Sequence, residues 1–427
     1  METADLFAAA LCLQSPWKVV KVSFLPADSG SMELHIDVDF NRGAKFSCPV
    51  DGCGNQQCAV HDTVEKTWRH MNFFQYKTYI HARVPRIDCR EHGVRLVSVP
   101  WARPGSGFTL LFEAMLLEMC RVMNCSAVSR IVGEHDTRIW KVIQYYVSEA
   151  LEREDYSQVS SIGIDETSKK GHNYVTVVAD LNARRAIFVT DGKDRSTVKQ
   201  LVSHLLGHKG SKEQIRLTAC DMSLGFKAGI RENFPNASIV IDKFHVIKHC
   251  NECIDKVRKR ESKGSKGLKG TKYLWLKNDA NLSRRQLARR DSLVALMPHT
   301  ARSMHMRLVL QEIYEKCSCS FDAEQRLRKL CSWIMHARIP EMKPFAALLR
   351  SHWEEILAYW KCGMTNALLE GLNSVIQNLK RGARGFRSPE YFKTMIYLVC
   401  GKLDFSDFSP TGKPFEGKPF SGLTHSI

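Results

Sequence analysis

The sequence contains no run of 18 or more apolar residues, so we expect no membrane-spanning helix. Residues 1–5 lack the basic region that opens a secretory signal peptide, and we therefore expect an intracellular protein. Acidic residues are also scarce: 45 Asp and Glu stand against 62 Lys and Arg, which gives a formal net charge of +17. A surplus of that size, clustered along the chain, predicts a polyanionic partner such as nucleic acid.

Cysteine, by contrast, is abundant, with 15 residues in a chain of 427. An intracellular chain keeps its cysteines reduced, so metal binding is favoured over a disulfide framework. The length allows two to four domains, and a hydrophobic content of 44% is enough for sizeable cores.

Two pairs of potential zinc ligands flank a segment with β-type alternation, each pair on a Gly-containing turn: Cys48 with Cys53, and Cys89 with His92. Ligand pairs joined by strands suit one tetrahedral, structural zinc ion. The first pair has four intervening residues instead of the usual two, which leaves Cys58 and His61 open as replacements. A set of unrelated buried cysteines is the alternative. We predict a zinc-binding, β-rich module over residues 1–105.

Residues 106–158 show the pattern of a helix-turn-helix module. Helical spacing at 110–122 is followed by a short helix at 126–132, a turn at Gly133 and a longer helix at 137–151. If the last helix enters a DNA groove, the side chains facing the bases would be Arg138, Lys141 and Gln144. Two ordinary packed helices would give the same pattern, and the sequence leaves this choice open.

From residue 159 the pattern becomes α/β. Strands are expected at 161–165, 174–180, 185–190, 215–221 and 238–242, with helices at 196–206 and 225–233. This order predicts an RNase H-like α/β catalytic core, in two parts at 159–250 and 363–405. Residues 251–362 are almost wholly helical in pattern and are interpreted as a helical insertion between the two parts. Residues 406–427 have no hydrophobic period and are interpreted as a disordered tail.

Three carboxylates at the edges of these elements suggest a two-metal site. Asp165 and Asp221 end apolar runs, and Glu370 lies one turn into a later helix. Hard Mg²⁺ or Mn²⁺ ions bind carboxylate oxygens held on rigid elements, as in enzymes of phosphoryl transfer. The first and fourth strands are neighbours in the expected topology, so Asp165 and Asp221 could share metal ions. Asp180 and Asp242 also end strands and are rivals.

The expected helix around Glu370 carries a polar stripe. Asn373, Gln377 and Arg381 follow Glu370 at helical spacing, and Lys380 lies beside Arg381. A polar stripe is usually a solvated helix face. A glutamate followed by two cations would, however, suit metal at one end and phosphate at the other.

Four segments in order carry a family resemblance: Ile-Gly-Ile-Asp-Glu-Thr at 162–167, Cys-Asp-Met-Ser at 220–223, Asp-Lys-Phe-His at 242–245, and Thr-Asn-Ala-Leu-Leu-Glu-Gly-Leu-Asn at 365–373. Together they resemble the catalytic segments of the ISL-three group of bacterial insertion-sequence transposases, of the DDE class. The resemblance covers roughly residues 45–405 and includes the cysteines and the helix-turn-helix. It implies that the ligands of two Mg²⁺ or Mn²⁺ ions are Asp165, Asp221 and Glu370. Groups that would lie near the site in an auxiliary role are Asp242, His245 and Asn373.

The resemblance also implies a function. A member of this group binds the terminal inverted repeats of its insertion sequence, cuts the DNA strand and transfers it to a target. Such a protein would work on double-stranded DNA in the bacterial cytoplasm as a dimer or larger assembly, without a nucleotide cofactor. A non-catalytic DNA-binding regulator derived from a transposase is one alternative. A two-metal structure-specific nuclease, which would cut without joining, is another.

A basic run adds a second candidate DNA contact. A stretch of cations interrupted by glycines extends from Lys256 to Arg290 and includes Arg258, Lys259 and Arg260. We expect this stretch to be mobile and to become ordered against DNA phosphates, although a solvated face is the alternative. Tyr273 and Trp275 beside it would either stack on unpaired bases or pack in a core.

Overall fold

The computed structural model describes residues 2–28, 30–170, 173–192, 194–264, 268–362 and 367–406, with only the backbone at 168–170, 173 and 367–370. Nearly all of the predicted tail at 406–427 therefore lies outside the described residues. The chain divides into two compact units, one up to residue 150 with a short piece from residue 403, and one over 151–402. None of the described helices is both long enough and apolar enough to cross a membrane.

The first unit opens with a helix and five strands: α1 (Thr3–Ala10), β1 (Trp17–Pro26), β2 (Met32–Phe40), β3 (Val60–Phe73), β4 (Tyr76–Cys89) and β5 (Gly93–Leu96). Their order in the sheet is β1-β2-β4-β3, with β5 paired to β4. The β1–β2 hairpin follows the alternation in the sequence, and β2 joins β4 in parallel. Alternate residues of β2, such as Leu34 and Ile36, are buried in a core that includes Trp68 and Trp101.

Three helices complete the first unit: α2 (Leu110–Val122), α3 (Cys125–Val132) and α4 (Asp136–Glu152). The side chains of Thr109 and Asn124 accept hydrogen bonds from the first turns of α2 and α3, which fixes where both helices begin. Gly133 ends α3 at φ +68°, a left-handed conformation that costs glycine little. These helices lie where the sequence predicted them.

The second unit contains a five-stranded sheet and two helices: β6 (Ser161–Lys170), β7 (Asn173–Asp180), β8 (Arg185–Asp191), α5 (Arg195–Gly207), β9 (Leu217–Cys220), α6 (Leu224–Asn233) and β10 (Ser238–Ile241). The order is β10-β9-β6-β7-β8, in which β9 lies parallel to both β6 and β10. The first and fourth strands are therefore neighbours, as expected.

One predicted strand boundary was wrong. The strand expected at 161–165 continues to Lys170, so Asp165 lies within β6 and does not end it. Residues 166–170 are mostly polar, and they are held in the strand by antiparallel pairing with β7. The hydrophobic pattern therefore stops before the backbone ladder does.

Nine helices follow in the described part of the second unit: α7 (Lys243–Glu261), α8 (Lys272–Leu276), α9 (Arg284–Leu293), α10 (Pro298–Lys316), α11 (Ser320–His336), α12 (Lys343–Ser351), α13 (Trp353–Cys362), α14 (Ala367–Gly382) and α15 (Pro389–Cys400). Helices α7 and α10–α13 share one buried core, which contains Val246, Leu310, Leu327, Phe345 and Ile356. The start of the basic run belongs to α7, where Val257 is fully buried. The expectation of a mobile segment was therefore wrong for residues 256–261, since Ile254 and Val257, about one helical turn apart, are buried and anchor the helix.

Candidate active site and zinc centre

Three aspartates lie at one level of the sheet, Asp165 within β6, and Asp221 and Asp242 directly after the parallel strands β9 and β10. Gly163 of β6 pairs with Ala219 of β9, so Asp165 and Asp221 reach the same level two residues further on. Cys220 of β9 pairs with the last residue of β10, which brings Asp242 level with Asp221. Side chains at one level of a sheet point to the same face. The parallel register of the strands thus places three carboxylates in one row, which we call the aspartate row.

Each carboxylate of the aspartate row is oriented by a backbone N–H just downstream. The donors are Glu166 to Asp165 at 2.7 Å, Ser223 to Asp221 at 2.8 Å and Phe244 to Asp242 at 2.8 Å. In each case Oδ1 accepts the bond, so the second oxygen is left for other partners. For Asp242 this bond also caps the N-terminus of α7.

Helix α14 lies against the strand that carries Asp165. The side-chain amide of Asn373 donates to Oδ2 of Asp165. One turn later, Nε2 of Gln377 donates to Oγ1 of Thr167 at 2.8 Å. The polar stripe is therefore packed against β6 at these two positions and is not a solvated face. Thr167 was not singled out from the sequence, although it lies two residues after Asp165 and so on the same face of the strand.

Glu370 lies in the same helix, three residues before Asn373. Helical periodicity puts position 370 about one turn nearer the N-terminus of α14 than Asn373. Its side chain lies outside the part that the structure describes, as do residues 365–366, so the predicted role of Glu370 stays a prediction. Lys380 and Arg381 are in the last turn of the helix.

His245 lies beside the aspartate row. Its Nδ1 is 3.6 Å from Oδ2 of Asp242, an ion-pair distance that is too long for a hydrogen bond. Although burial lowers it, the neighbouring carboxylates of Asp242, Asp165 and Asp221 raise the pKa of His245 above its ordinary value. Burial, together with the charge of Asp242, raises the pKa of Asp165 despite the opposing effects of His245 and Asn373.

These pKa directions describe a buried concentration of negative charge in a strongly basic chain. A cation would relieve it, and hard carboxylate oxygens suit Mg²⁺ or Mn²⁺. Among the described residues, no three of these carboxylate or histidine ligand atoms lie within 4.8 Å of one another. The carboxylates are therefore spread along the row and are not gathered around one point. The rival Asp180 is excluded by position, because it pairs with Ile162 at the opposite end of β6.

In the first unit, the four predicted zinc ligands converge. The ligand atoms of Cys48, Cys53, Cys89 and His92 all lie within 4.8 Å of one another. Sγ of Cys53 is 3.8 Å from Sγ of Cys89, and Nδ1 of His92 is 3.7 Å from Sγ of both Cys48 and Cys89. A tetrahedral zinc with bonds of about 2.0–2.3 Å separates its ligand atoms by about 3.5–3.8 Å. The cluster therefore has the dimensions of a zinc site.

A turn accommodates the four residues between Cys48 and Cys53. The N–H of Cys53 donates to the carbonyl of Val50 at 3.1 Å, and Gly52 supplies the left-handed residue at φ +78°. Neither alternative ligand belongs to this cluster. Sγ of Cys58 contacts the carbonyl of Asn55, although this thiol also lies near that of Cys89, and His61 pairs with Asp62.

The thiols of the cluster differ in acidity. The N–H of Glu91, together with His92, lowers the pKa of Cys89 to about 6. The N–H of Asn55 acts to lower that of Cys53, but burial and the nearby thiols of Cys48 and Cys89 raise its pKa to about 11. A bound metal ion would favour the deprotonated form of both thiols.

The three residues predicted to face the DNA groove differ in their exposure and in their contacts. Lys141 is exposed and Gln144 is half-buried on α4. Arg138 forms an ion pair with Glu134, and its guanidinium lies 4.1 Å from the ring centre of Phe108. Arg138 therefore has a packing role within the first unit, which the spacing of the sequence could not reveal.

Three cations near the start of the basic run have carboxylate partners. Arg258 is only 11% exposed and donates to Asp255 at 2.8 Å. Lys259 and Arg260 are 67% and 40% exposed, although they also pair with Asp255 and with Glu341. The charge of Arg258 is thus paired within α7 and largely shielded from solvent, whereas the charges of Lys259 and Arg260 remain accessible to solvent.

The two aromatic residues beside the basic run, Tyr273 and Trp275, differ in exposure. Trp275 is fully buried and belongs to a core, whereas Tyr273 is 62% exposed. Lys272 and Lys277 each place their ammonium within 6 Å of the Tyr273 ring centre. Only Tyr273 keeps a face that an unpaired base could reach.

Three family models match the chain in the order of these structures. A zinc-finger of transposases matches residues 44–92, and a helix-turn-helix domain of transposase family ISL3 matches residues 97–147. A transposase model of the same family matches residues 162–396, more than half of the chain, and includes the aspartate row and α14.

Relatives agree with these matches. The chain is 27% identical over 352 residues to the transposase for insertion sequence element IS1001 of Bordetella parapertussis, over 80% of this chain and 86% of the relative. It is 27% identical over 370 residues to the transposase for insertion sequence element IS1557 of Mycobacterium tuberculosis, over 78% of this chain and 81% of the relative. With its zinc-finger, helix-turn-helix and catalytic segments in order, the chain belongs to the ISL3 family of transposases.

Proposed function

We propose that this transposase binds the terminal inverted repeats of an insertion sequence and catalyses metal-dependent DNA strand cleavage and strand transfer. The observation that carries this proposal is the level placement of Asp165 and Asp221 beside a helix that contains Glu370 and Asn373. A net charge of +17 supports a DNA partner.

We further propose that the catalytic core is RNase H-like and is formed by residues 159–250 and 363–405. Support comes from a sheet in which β7 and β8 extend β6 on one side and the parallel strands β9 and β10 lie on the other. Residues 251–362 would be a helical insertion, whose helices α10–α13 share one buried core with α7 and with Ile241 of β10. Residues 1–105 would form the zinc module and residues 106–158 the DNA-binding helices.

In this proposal the carboxylates of Asp165, Asp221 and Glu370 hold two Mg²⁺ or Mn²⁺ ions. When bound, such ions activate the attacking oxygen and stabilise the leaving 3′ oxygen. Asn373 would hold Asp165 in one orientation through its amide, and backbone donors fix Asp165 and Asp221. Asp242 and His245 would tune the charge of the site without contacting DNA.

The reaction is a hydrolysis followed by a transesterification. Water first attacks the phosphorus at the end of the element, which frees a 3′-hydroxyl. That hydroxyl then attacks a phosphorus of the target and displaces its 3′ oxygen. Each step forms and breaks one P–O bond, so neither a nucleotide cofactor nor a covalent protein intermediate is required. Two element ends must be handled together, which suggests a dimer or larger assembly.

The DNA contacts are proposed from exposure and charge. In the first unit, Lys141 and Gln144 would face bases, with Arg138 at the edge of that surface. In the second unit, Lys259 and Arg260 would contact phosphates beside Arg258, and the last turn of α14 would do so through its two cations. One zinc ion, bound by the Cys/His cluster, would cross-link the turns of the first unit.

A strand-transfer assay separates this proposal from its two alternatives. Duplexes carrying the inverted repeats that flank the gene are incubated with supercoiled plasmid and Mg²⁺. A transposase cuts the duplex and joins its 3′ end to the plasmid, a nuclease only cuts, and a regulator binds without cutting. Binding without any cut in Mg²⁺ or Mn²⁺ would refute the proposal.

A further inference from the structure

A cavity of about 430 Å³ opens beside the start of α7. It is lined by α7, by α10 and by the segment that follows α8, with contributions from Phe244, Asn251, Asn278 and Arg307. Its size falls in the range of small-ligand sites. Neither the zinc cluster nor the aspartate row includes any of these residues.

The polar groups in this cavity have fixed orientations. Arg307 is buried, and its Nη1 donates to Oδ1 of Asn278 at 2.7 Å and to Oε1 of Gln311 at 3.2 Å. A guanidinium can only donate, so both amides must turn their oxygens towards it. Nε2 of Gln311 also donates to Oδ1 of Asn278, at 3.1 Å. Asn278 is exposed, so its amide N–H groups are accessible to an acceptor that enters the cavity.

Two further polar atoms of the cavity residues are unpaired. Oδ1 of Asn251 and Nε of Arg307 are both buried and have no hydrogen-bond partner in the described part of the chain. A buried polar atom without a partner is costly, so such atoms point to a missing ligand. Oδ1 of Asn251 is an acceptor, and the amide of Asn278 and Nε of Arg307 are donors. Together they match the edge of a nucleobase, which carries both donors and acceptors.

The rim of the cavity suits the rest of a nucleotide. Phe244 is 52% exposed and provides an aromatic surface for a base. Lys243 and Lys277 provide positive charge for a phosphate. Lys243 and Phe244 directly follow Asp242 of the aspartate row, so the rim begins at the edge of the candidate active site.

We propose that this cavity binds one unpaired nucleotide of the DNA strand next to the cut, with its base against Phe244 and its edge on Asn251 and Asn278. The inference rests on the proposed function, since it requires DNA at the aspartate row. Removing a base from the stack costs free energy, which the aromatic contact and the unpaired polar atoms offset. The unpaired strand would then be free to bend into the active site.

Two substitutions of exposed phenylalanines provide the test. Phe244→Ala removes the proposed stacking surface and should slow cutting of a fully paired end roughly 5- to 100-fold. Phe321→Ala, a matched loss of a 71% exposed phenylalanine on α11 away from the cavity, should leave the rate unchanged. An abasic site opposite the unpaired nucleotide should restore most of the rate to Phe244→Ala, because the pairing no longer has to be broken.

A second measurement detects the unpaired base without catalysis. The fluorescent base 2-aminopurine replaces each base around the cut in turn, and one position should brighten when wild-type protein binds. The brightening should weaken in Phe244→Ala and in Asn278→Ala but not in Phe321→Ala.

The proposal fails if wild-type protein cuts the end while every position stays dark, or if Phe321→Ala slows cutting as much as Phe244→Ala. If wild-type protein neither binds nor cuts the flanking repeats, the transposition proposal fails, and this one with it.

Discussion

Replacing Asp242 by Asn isolates the charge of this residue from its role in folding. Asp242 is buried, its Oδ1 caps α7, and it stands level with Asp221 in the aspartate row. Asn is as good a cap as Asp, so the hydrogen bond to Phe244 survives. Losing the negative charge at the helix N-terminus should cost about 0.3–1 kcal/mol. In a unit of this size, that lowers the melting temperature by only a few degrees.

The effect on metal binding should be much larger. Asp242 lies next to the proposed ligands but is not one of them, and removing such a partner typically weakens metal affinity by about 10- to 100-fold. We therefore expect Asp242→Asn to need about 10- to 100-fold more Mg²⁺ for half-maximal cutting. At saturating Mg²⁺ the rate should largely recover. The assay is a Mg²⁺ titration of end cleavage, with thermal unfolding measured in parallel.

Asp180→Asn is the matched control. Asp180 is also buried, and its Oδ1 also accepts backbone hydrogen bonds, from Asn182 at 2.9 Å and Ala183 at 3.2 Å. It pairs with Ile162, three residues before Asp165, which places it about 10 Å along the strands from the aspartate row. Its Mg²⁺ requirement should match the wild type. If Asp242→Asn and Asp180→Asn need the same Mg²⁺ concentration for half-maximal cutting, Asp242 does not support metal binding in the aspartate row.

Three further outcomes are expected. Asp165→Asn, Asp221→Asn and Glu370→Gln should each abolish cutting while end binding persists in gel-shift assays, and normal cutting by any of them would remove that residue from the site. Elemental analysis should find one zinc per chain, lost in the double variant Cys48→Ser/Cys53→Ser but kept in Cys58→Ser; zinc retained by the double variant would assign the ligands elsewhere. Lys259→Ala with Arg260→Ala should make the slope of log affinity against log salt shallower by up to ~1.8, at about 0.9 per phosphate contact. Arg258→Ala should leave that slope unchanged, and the opposite ranking would contradict the exposures of these side chains.

Much of the architecture could be predicted because it depends on local pattern. The β1–β2 hairpin and helices α2 to α4 follow directly from alternation, helical spacing and a glycine turn. Strand β3 was missed, since its many polar residues conceal the alternation. The end of β6 was misplaced for the same reason, because pairing with β7 extends the strand beyond its apolar part.

Side-chain partners could not be predicted in this way. Arg258 and Lys259 are neighbours in one basic run, yet only Arg258 is buried against Asp255. Tyr273 and Trp275 lie two residues apart, and one is exposed while the other is in a core. Which of two similar side chains meets a distant partner depends on packing, and packing is not encoded in local spacing.

By itself, the sequence identified the candidate residues for the chemistry, since the ordered carboxylate and cysteine motifs and the positive charge can all be recognised along the chain. Only the tertiary structure decided how they combine. The parallel register of β6, β9 and β10 made Asp242 a member of the aspartate row, and the turn at Gly52 brought Cys53 to its partners. The physical reason is that backbone hydrogen bonds between distant segments set the level of each side chain, and no local pattern specifies that level.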